Sequence, residues 1–155
     1  MARDVASSVN ANWLEMPPGK NWGFNERREA IIRAVGTHLM FIDDDDAVLP
    51  GAVSTIRAAV SEEPLRPHVF RIVLPDGRIV PNVRVIREGN VGSPSMIVPN
   101  VWSQLGQWTP RYAGDFDFIE STLRHYPDGP VWHDEVIYGC REFGRMAWES
   151  HMKAT

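Results

Sequence analysis

From residue 25 the apolar positions Ala30, Ile31, Ala34 and Val35 recur at the spacing of one helical face. Gly36 follows, a residue that closes a helix easily by taking a positive φ. The pattern then becomes a continuous apolar run, His38 to Ile42, of the length of a buried strand. That run ends at Asp43, Asp44, Asp45 and Asp46. Leu49-Pro50-Gly51 predicts a second helix with Pro50 in its first turn, and Val53, Ile56, Ala59 and Val60 give it an apolar face. Residues 25–60 thus read helix, strand, acidic turn, helix, and predict an α/β fold with helices packed on a sheet.

The second half changes character. Val69 to Leu74 and Ile79 to Ile86 read as strands of a hairpin around Pro75-Asp76-Gly77-Arg78, with Pro81 marking an edge or a bulge. Ser95 to Val98 reads as a short strand, and Asn100 as the cap of a short helix ending near Gly106. Phe118, Ile119, Thr122 and Leu123 form another helical face, with Asp115 at the N-cap position. Val131 to Ile137 is extended, and the tail after Gly144 is helical. Residues 1–24 form an irregular lead-in, and no repeat or linker divides the chain, so 1–155 is expected to be one domain.

Composition narrows the class. The chain has 155 residues, 43% hydrophobic and 23% charged, which is an ordinary globular balance. A net charge of -4 argues against a large nucleic-acid footprint. One cysteine, Cys140, excludes an intrachain disulfide and fits a reducing compartment. The start of the sequence lacks the apolar core of a signal peptide, and no apolar run approaches the ~20 residues of a membrane span. The expected location is the cytoplasm. Six tryptophans are present, and an indole face stacks on a sugar ring as well as on a hydrophobic core.

Four successive carboxylates at a strand exit carry the main chemistry. Ligands of open α/β sheets bind beyond the carboxyl ends of the strands. Adjacent carboxylates repel one another, and a divalent cation relieves that repulsion. Hard oxygen ligands suit Mg²⁺ or Mn²⁺, which then takes substrate phosphates as further ligands. An acidic helix entrance is the simpler alternative, since aspartates meet the positive end of the following helix.

The stretch Asn25-Glu26-Arg27-Arg28-Glu29-Ala30, the Ala34-Val35-Gly36 exit, the apolar strand, the Asp43–Asp46 turn and Leu49-Pro50-Gly51 together resemble family-2 glycosyltransferases of the GT-A fold. The resemblance covers residues 20–60 well and 90–137 more loosely. It implies a Rossmann-like mixed sheet flanked by helices, in a short form without the usual N-terminal βαβ unit. It implies transfer of a sugar from a UDP- or GDP-sugar donor to an acceptor hydroxyl, with inversion. Asp43 and Asp45 match the D-x-D aspartates, Asp45 being the first choice as metal ligand and Asp44 a neighbour on the donor side. Arg27 or Arg28 matches the basic residue that pairs with phosphate. Asp115 resembles the catalytic base, with Asp117 in reserve, although Gly114 stands where many members carry an acid. His133 resembles a late histidine ligand, and Trp108, then Trp102, are expected to line an acceptor groove. For Asp115 a plain capping role, and for His133 a structural role, stand beside these assignments.

The missing unit leaves a sheet edge, so a homodimer or a partner chain is expected to cover it. A non-catalytic sugar-binding or assembly module of the same fold is the alternative function. A phosphohydrolase using aspartate chemistry also places D-x-D after a strand. It needs a nearby lysine, and the lysines here are Lys20 and Lys153.

Overall fold

A computed structural model describes residues 11–12, 14–17 and 22–140 of the chain. Helix α1 (Phe24–Arg33) opens after Gly23, which sits at φ 75. Glu26 in its first turn and Arg33 in its last complement the helix dipole. The helix ends before Ala34, so Ile31 faces the core while Val35 is exposed rather than on the expected apolar face.

Strand β1 (His38–Leu39) holds a ladder over two residues only. Beyond it Phe41 packs edge-on to Trp108 and Phe118, at 5.0 and 5.2 Å between ring centres. Leu39, Met40 and Phe41 of the apolar run thus pack into the core with little strand pairing, while Ile42 is exposed. After the acidic turn comes a strand the pattern did not predict, β2 (Ala47–Val48). Helix α2 (Ala52–Glu62) starts at Gly51, whose φ is 80, so Pro50 lies outside the helix rather than in its first turn. Ala52 and Ala59 take the core face with Ile56 and Val60, and Val53 is exposed.

The hairpin forms as β3 (His68–Val73) and β4 (Ile79–Val80), closed by the Leu74 N–H donating to the Arg78 carbonyl at 2.8 Å. Its second strand stops at Val80, well short of Ile86, because Pro81 has no N–H to give. The Asn90 side chain serves this irregular stretch instead. Its amide donates to the carbonyls of Val83 and Val85 at 2.9 and 2.7 Å, and its oxygen accepts the Asn82 N–H at 3.2 Å.

Strand β5 (Met96–Pro99) follows. Asn100 does not cap a helix: its amide donates to the carbonyls of Ala34 and Gly36, at 3.1 and 2.8 Å, and so ties off the end of α1. Only a single 3-10 turn, Trp102–Gln104, stands where a short helix was expected. Helix α3 (Gly114–Leu123) has Ala113 as its N-cap, which places Asp115 inside the first turn rather than at the cap. Strand β6 (Val131–Gly139) completes the sheet. The tail predicted to be helical lies outside the described residues.

The sheet runs β1-β5-β3-β6-β2, with β4 hydrogen-bonded to β3 off this path. Strands β3 and β6 are parallel, and the other pairs are antiparallel. On one face, Ile31 of α1 and Phe118 and Ile119 of α3 pack on Val69, Met96 and Val98. On the other, Ala52 and Ala59 of α2 pack on Phe70, Ile72, Ile97 and Ile137. Alternate residues of β3 and β5 thus enter opposite cores, as the two-residue period of a strand requires. The result is the expected mixed α/β sheet between helical layers. Among the described residues no helix is long and apolar enough to cross a membrane.

Candidate functional site

The acidic turn closes on itself, the Asp46 N–H donating to the Asp43 carbonyl at 3.2 Å. Asp44 and Asp45 form its exposed tip, while Asp43 and Asp46 are half-buried. Arg27, on α1, forms an ion pair with the Asp43 carboxylate. Its other terminal nitrogen donates to the Trp22 carbonyl at 2.8 Å, and the guanidinium carbon lies 4.9 Å from the centre of the Trp108 ring. Gly23 makes room for this arrangement: a Cβ there would stand 2.0 Å from Arg27 Nη1.

From the sheet, the Tyr138 hydroxyl accepts the Asp43 backbone N–H at 3.0 Å. Burial pushes the Asp43 carboxyl up from its ordinary range. The Arg27 charge pulls it back, and the neighbouring Asp46 and Asp45 push it up again. Burial, aided by the carboxylates of the turn, also raises the Tyr138 phenol far above its usual value. The Cys140 thiol is pushed up to about 12, first by burial and then by Asp46 and Asp43. Both groups therefore stay protonated near neutrality beside the turn, and Cys140 is an unreactive thiol.

Asp43, Asp46 and Arg27 line a cleft of about 510 Å³. Asp115 and Ser93 line it too, together with the Glu88–Gly92 loop. Asp115 Oδ2 accepts the Ser93 N–H at 3.3 Å and Oδ1 accepts the Phe116 N–H at 2.8 Å. The structure so brings Asp43 and Asp115, from elements far apart in the chain, to one cavity, whereas Asp44 and Asp45 are not among the residues that line it. Asp117 goes elsewhere. Arg111 and Thr109 hold its carboxylate, and their hydrogen bonds keep it below the usual carboxylate range.

The two arginine candidates also separate. Arg28 packs over the Phe24 ring, 5.3 Å from its centre, and lines a second depression of about 530 Å³ with Trp102 and Leu105. Trp102 is exposed there. Trp108 borders both depressions but is itself buried, stacked on Phe118 with ring centres 5.1 Å apart. Its indole N–H meets no acceptor among the described residues.

His133 is not brought to the acidic turn. It sits on β6 five residues before Tyr138, roughly 16 Å along an extended strand. Its Nε2 lies 2.9 Å from Nδ1 of buried His68, and its ring stacks on Phe70 with centres 4.2 Å apart. Desolvation lowers the pKa of both histidines. Among the described residues no group of three or more His, Cys, Asp or Glu is arranged to hold a metal by itself.

Sequence reasoning missed Tyr138, Ser93 and the 88–92 loop. Gly89, Asn90 and Gly92 have the composition of a loop, but nothing in their order says which cavity that loop lines. Tyr138 carried no signal, because its contact with Asp43 depends on how β6 is placed in the sheet.

No protein-family model matches the chain, and no curated protein sequence matches it. Solved structures do. The chain is similar to S. aureus TarS, with a TM-score of 0.73 and 16% identity over 99% of this chain and 30% of that one. TarS 1-349 in complex with UDP gives 0.69 and 17%, over 90% of this chain and 47% of that one. TarS 1-349 alone gives 0.69 and 18%, over 99% and 50%. The chain therefore spans half or less of the length of each of these TarS chains, and what it shares with them is the mixed α/β fold.

Proposed function

We propose that the chain carries the acidic-turn and base half of a nucleotide-sugar glycosyltransferase, which moves a sugar from a UDP- or GDP-sugar to an acceptor hydroxyl with inversion. The observation that carries this reading is the shared cleft of Asp43, Arg27 and Asp115. The fold likeness to TarS, a glycosyltransferase that has been solved with UDP, supports it and favours a uridine donor.

In this reading Asp45 and Asp43 hold Mn²⁺ or Mg²⁺, with Asp46 beside them at the cleft. When bound, the cation supplies the positive charge that a diphosphate leaving group needs. Arg27 adds a guanidinium at the same wall, fixed by the Trp22 carbonyl and the Trp108 face, and lends charge without having to reorganise. Tyr138 holds the backbone of Asp43 in place. Asp115 takes the proton of the acceptor hydroxyl as the new bond forms. The hydrogen bonds from Ser93 and Phe116 fix its carboxylate in the cleft. A second copy or a partner chain beside the sheet completes the donor pocket.

A second reading draws on the Arg27–Asp43 ion pair, which already balances one carboxylate of the turn. Under it, the chain binds sugars or partners without turnover and is indifferent to Mn²⁺.

Calorimetric titration of UDP and GDP, with and without Mn²⁺, into the wild type and Asp45→Ala decides between them. The proposal expects metal-dependent binding that Asp45→Ala abolishes. Binding that ignores both the metal and the substitution would favour the second reading, and no binding at all would remove the first for this chain alone.

A further inference from the structure

Two large aromatic side chains stand in the open at the mouth of the cleft. Trp22 is 65% exposed and Tyr112 is 82% exposed, and both line the cavity that holds Asp43 and Asp115. Their rings meet edge to face, 5.3 Å apart at 87°. Burial does not explain them, because each leaves most of its apolar surface in water. Trp22 is also held at φ 55, a left-handed conformation that a bulky side chain rarely adopts. The Arg27 hydrogen bond to its carbonyl, at 2.8 Å, holds the backbone there. Strain of this kind persists where the surrounding structure over-determines it, and it gathers at ligand clamps.

We infer that Trp22 and Tyr112 form a stacking platform for a pyranose ring of the acceptor. The inference rests on the glycosyltransferase reading for its assignment to the acceptor. An exposed indole or phenol face offers the apolar C–H face of a pyranose a partner without a charge. The neighbouring cation does not convert the platform into an anion site, since Arg111 is engaged by Asp117 and Glu88. Position assigns the ring to the acceptor. The group that takes the acceptor proton must stand on the acceptor's side, and Tyr112 belongs to the segment that leads directly into Asp115 and α3. Trp22 meets Tyr112 at the same rim and is linked through Arg27 to Asp43.

The test is saturation-transfer NMR on the 155-residue chain. The probes are the methyl glycosides of glucose, galactose, mannose and N-acetylglucosamine, each measured with and without UDP and Mn²⁺. The expected result is saturation of one pyranose face by the wild type, with affinity reduced about 2- to 10-fold in Trp22→Ala and in Tyr112→Ala. Trp22→Phe and Tyr112→Phe should retain it. Tyr112 is exposed enough that its variants keep the fold, so the inference stays testable if Trp22→Ala does not fold. Calorimetry on the Tyr112 variants should leave UDP affinity unchanged. Equal saturation in wild type and alanine variants, or none of the four glycosides bound by the wild type, overturns the platform. A fall in UDP affinity in Tyr112→Ala overturns its assignment to the acceptor. Wild-type protein that binds a glycoside at the platform but never UDP overturns the glycosyltransferase reading and leaves the platform standing.

Discussion

The guanidinium of Arg27 pairs with the carboxylate of Asp43, so helix α1 and the acidic turn are fastened together at the wall of the cleft. The same side chain reaches the Trp22 carbonyl and lies over the Trp108 ring. Arg27→Ala leaves a half-buried carboxylate without its counter-charge and a carbonyl without its donor. We expect a loss of about 1–2 kcal/mol in urea unfolding, kept at the low end because Asp43 is partly solvated. Arg27→Lys should recover only part of it, since an ammonium cannot reach two acceptors and an aromatic face in one plane. An Arg27→Ala protein as stable as wild type would mean that the pair contributes nothing to the fold.

Close packing of backbone on backbone makes a second prediction. A Cβ at Gly106 would lie 2.4 Å from the Phe118 carbonyl oxygen and 2.5 Å from the Thr122 nitrogen, both on α3. A Cβ at Gly114 would lie 2.1 Å from the Thr109 carbonyl oxygen. These neighbours are main-chain atoms and cannot swing aside. Gly106→Ala should therefore destabilise the protein by about 1–3 kcal/mol. Gly114→Ala should in addition shift the start of α3, and with it Asp115. A urea midpoint unchanged in Gly106→Ala would show that the loop before Trp108 yields freely.

The acidic turn and the first two helices were legible because local patterns settle them. Spacing at α1 and α2 points Ile31, Ile56, Ala59 and Val60 to the core, although Val35 and Val53 are exposed, and four successive aspartates end an apolar run. Boundaries were less legible. Val35 continues the helical pattern in sequence, yet Asn100, distant in the chain, binds the carbonyls that end α1. The same limit applies to the site. Asp115 and Asp117 were singled out together by resemblance, and their separation follows from Arg111 and Thr109 occupying the second carboxylate. His133 looked like a ligand, and only the parallel pairing of β3 with β6 reveals that His68 stands beside it.

That separation makes Asp115 and Asp117 distinguishable by experiment. Under the proposed transfer, Asp115→Asn removes the base and should lower turnover about 10²- to 10⁴-fold, with UDP affinity unchanged. Asp117→Asn breaks the contacts with Arg111 and Thr109, and should lower thermal stability slightly while turnover falls far less. Steady-state kinetics on both variants, with a melting curve for each, checks the assignment. Equal turnover losses in the two would sink the choice of Asp115.

The histidine pair sets a pH dependence of stability. His68 Nε2 lies 3.0 Å from the Glu63 carbonyl, which only accepts, so that nitrogen carries the proton of the neutral ring. His68 Nδ1 is then the acceptor for the His133 Nε2–H, 2.9 Å away. A second proton on His68 can enter only if His133 gives up its own donor toward it. Desolvation lowers the pKa of both rings from the ordinary 6.5, although Glu135, Glu62 and Asp134 favour charge on His133. Between those lowered values and 6.5 the unfolded chain binds more protons than the folded one, so stability rises with pH. The contribution is complete above 6.5 and is lost as the pH falls through that window. Urea midpoints should accordingly drop between about pH 7.5 and pH 5.5, and the double variant His68→Gln, His133→Gln should flatten the slope. A slope identical in wild type and double variant would place the titration on other groups. A flattened slope would show that this pair, away from the cleft, contributes to the stability of the fold.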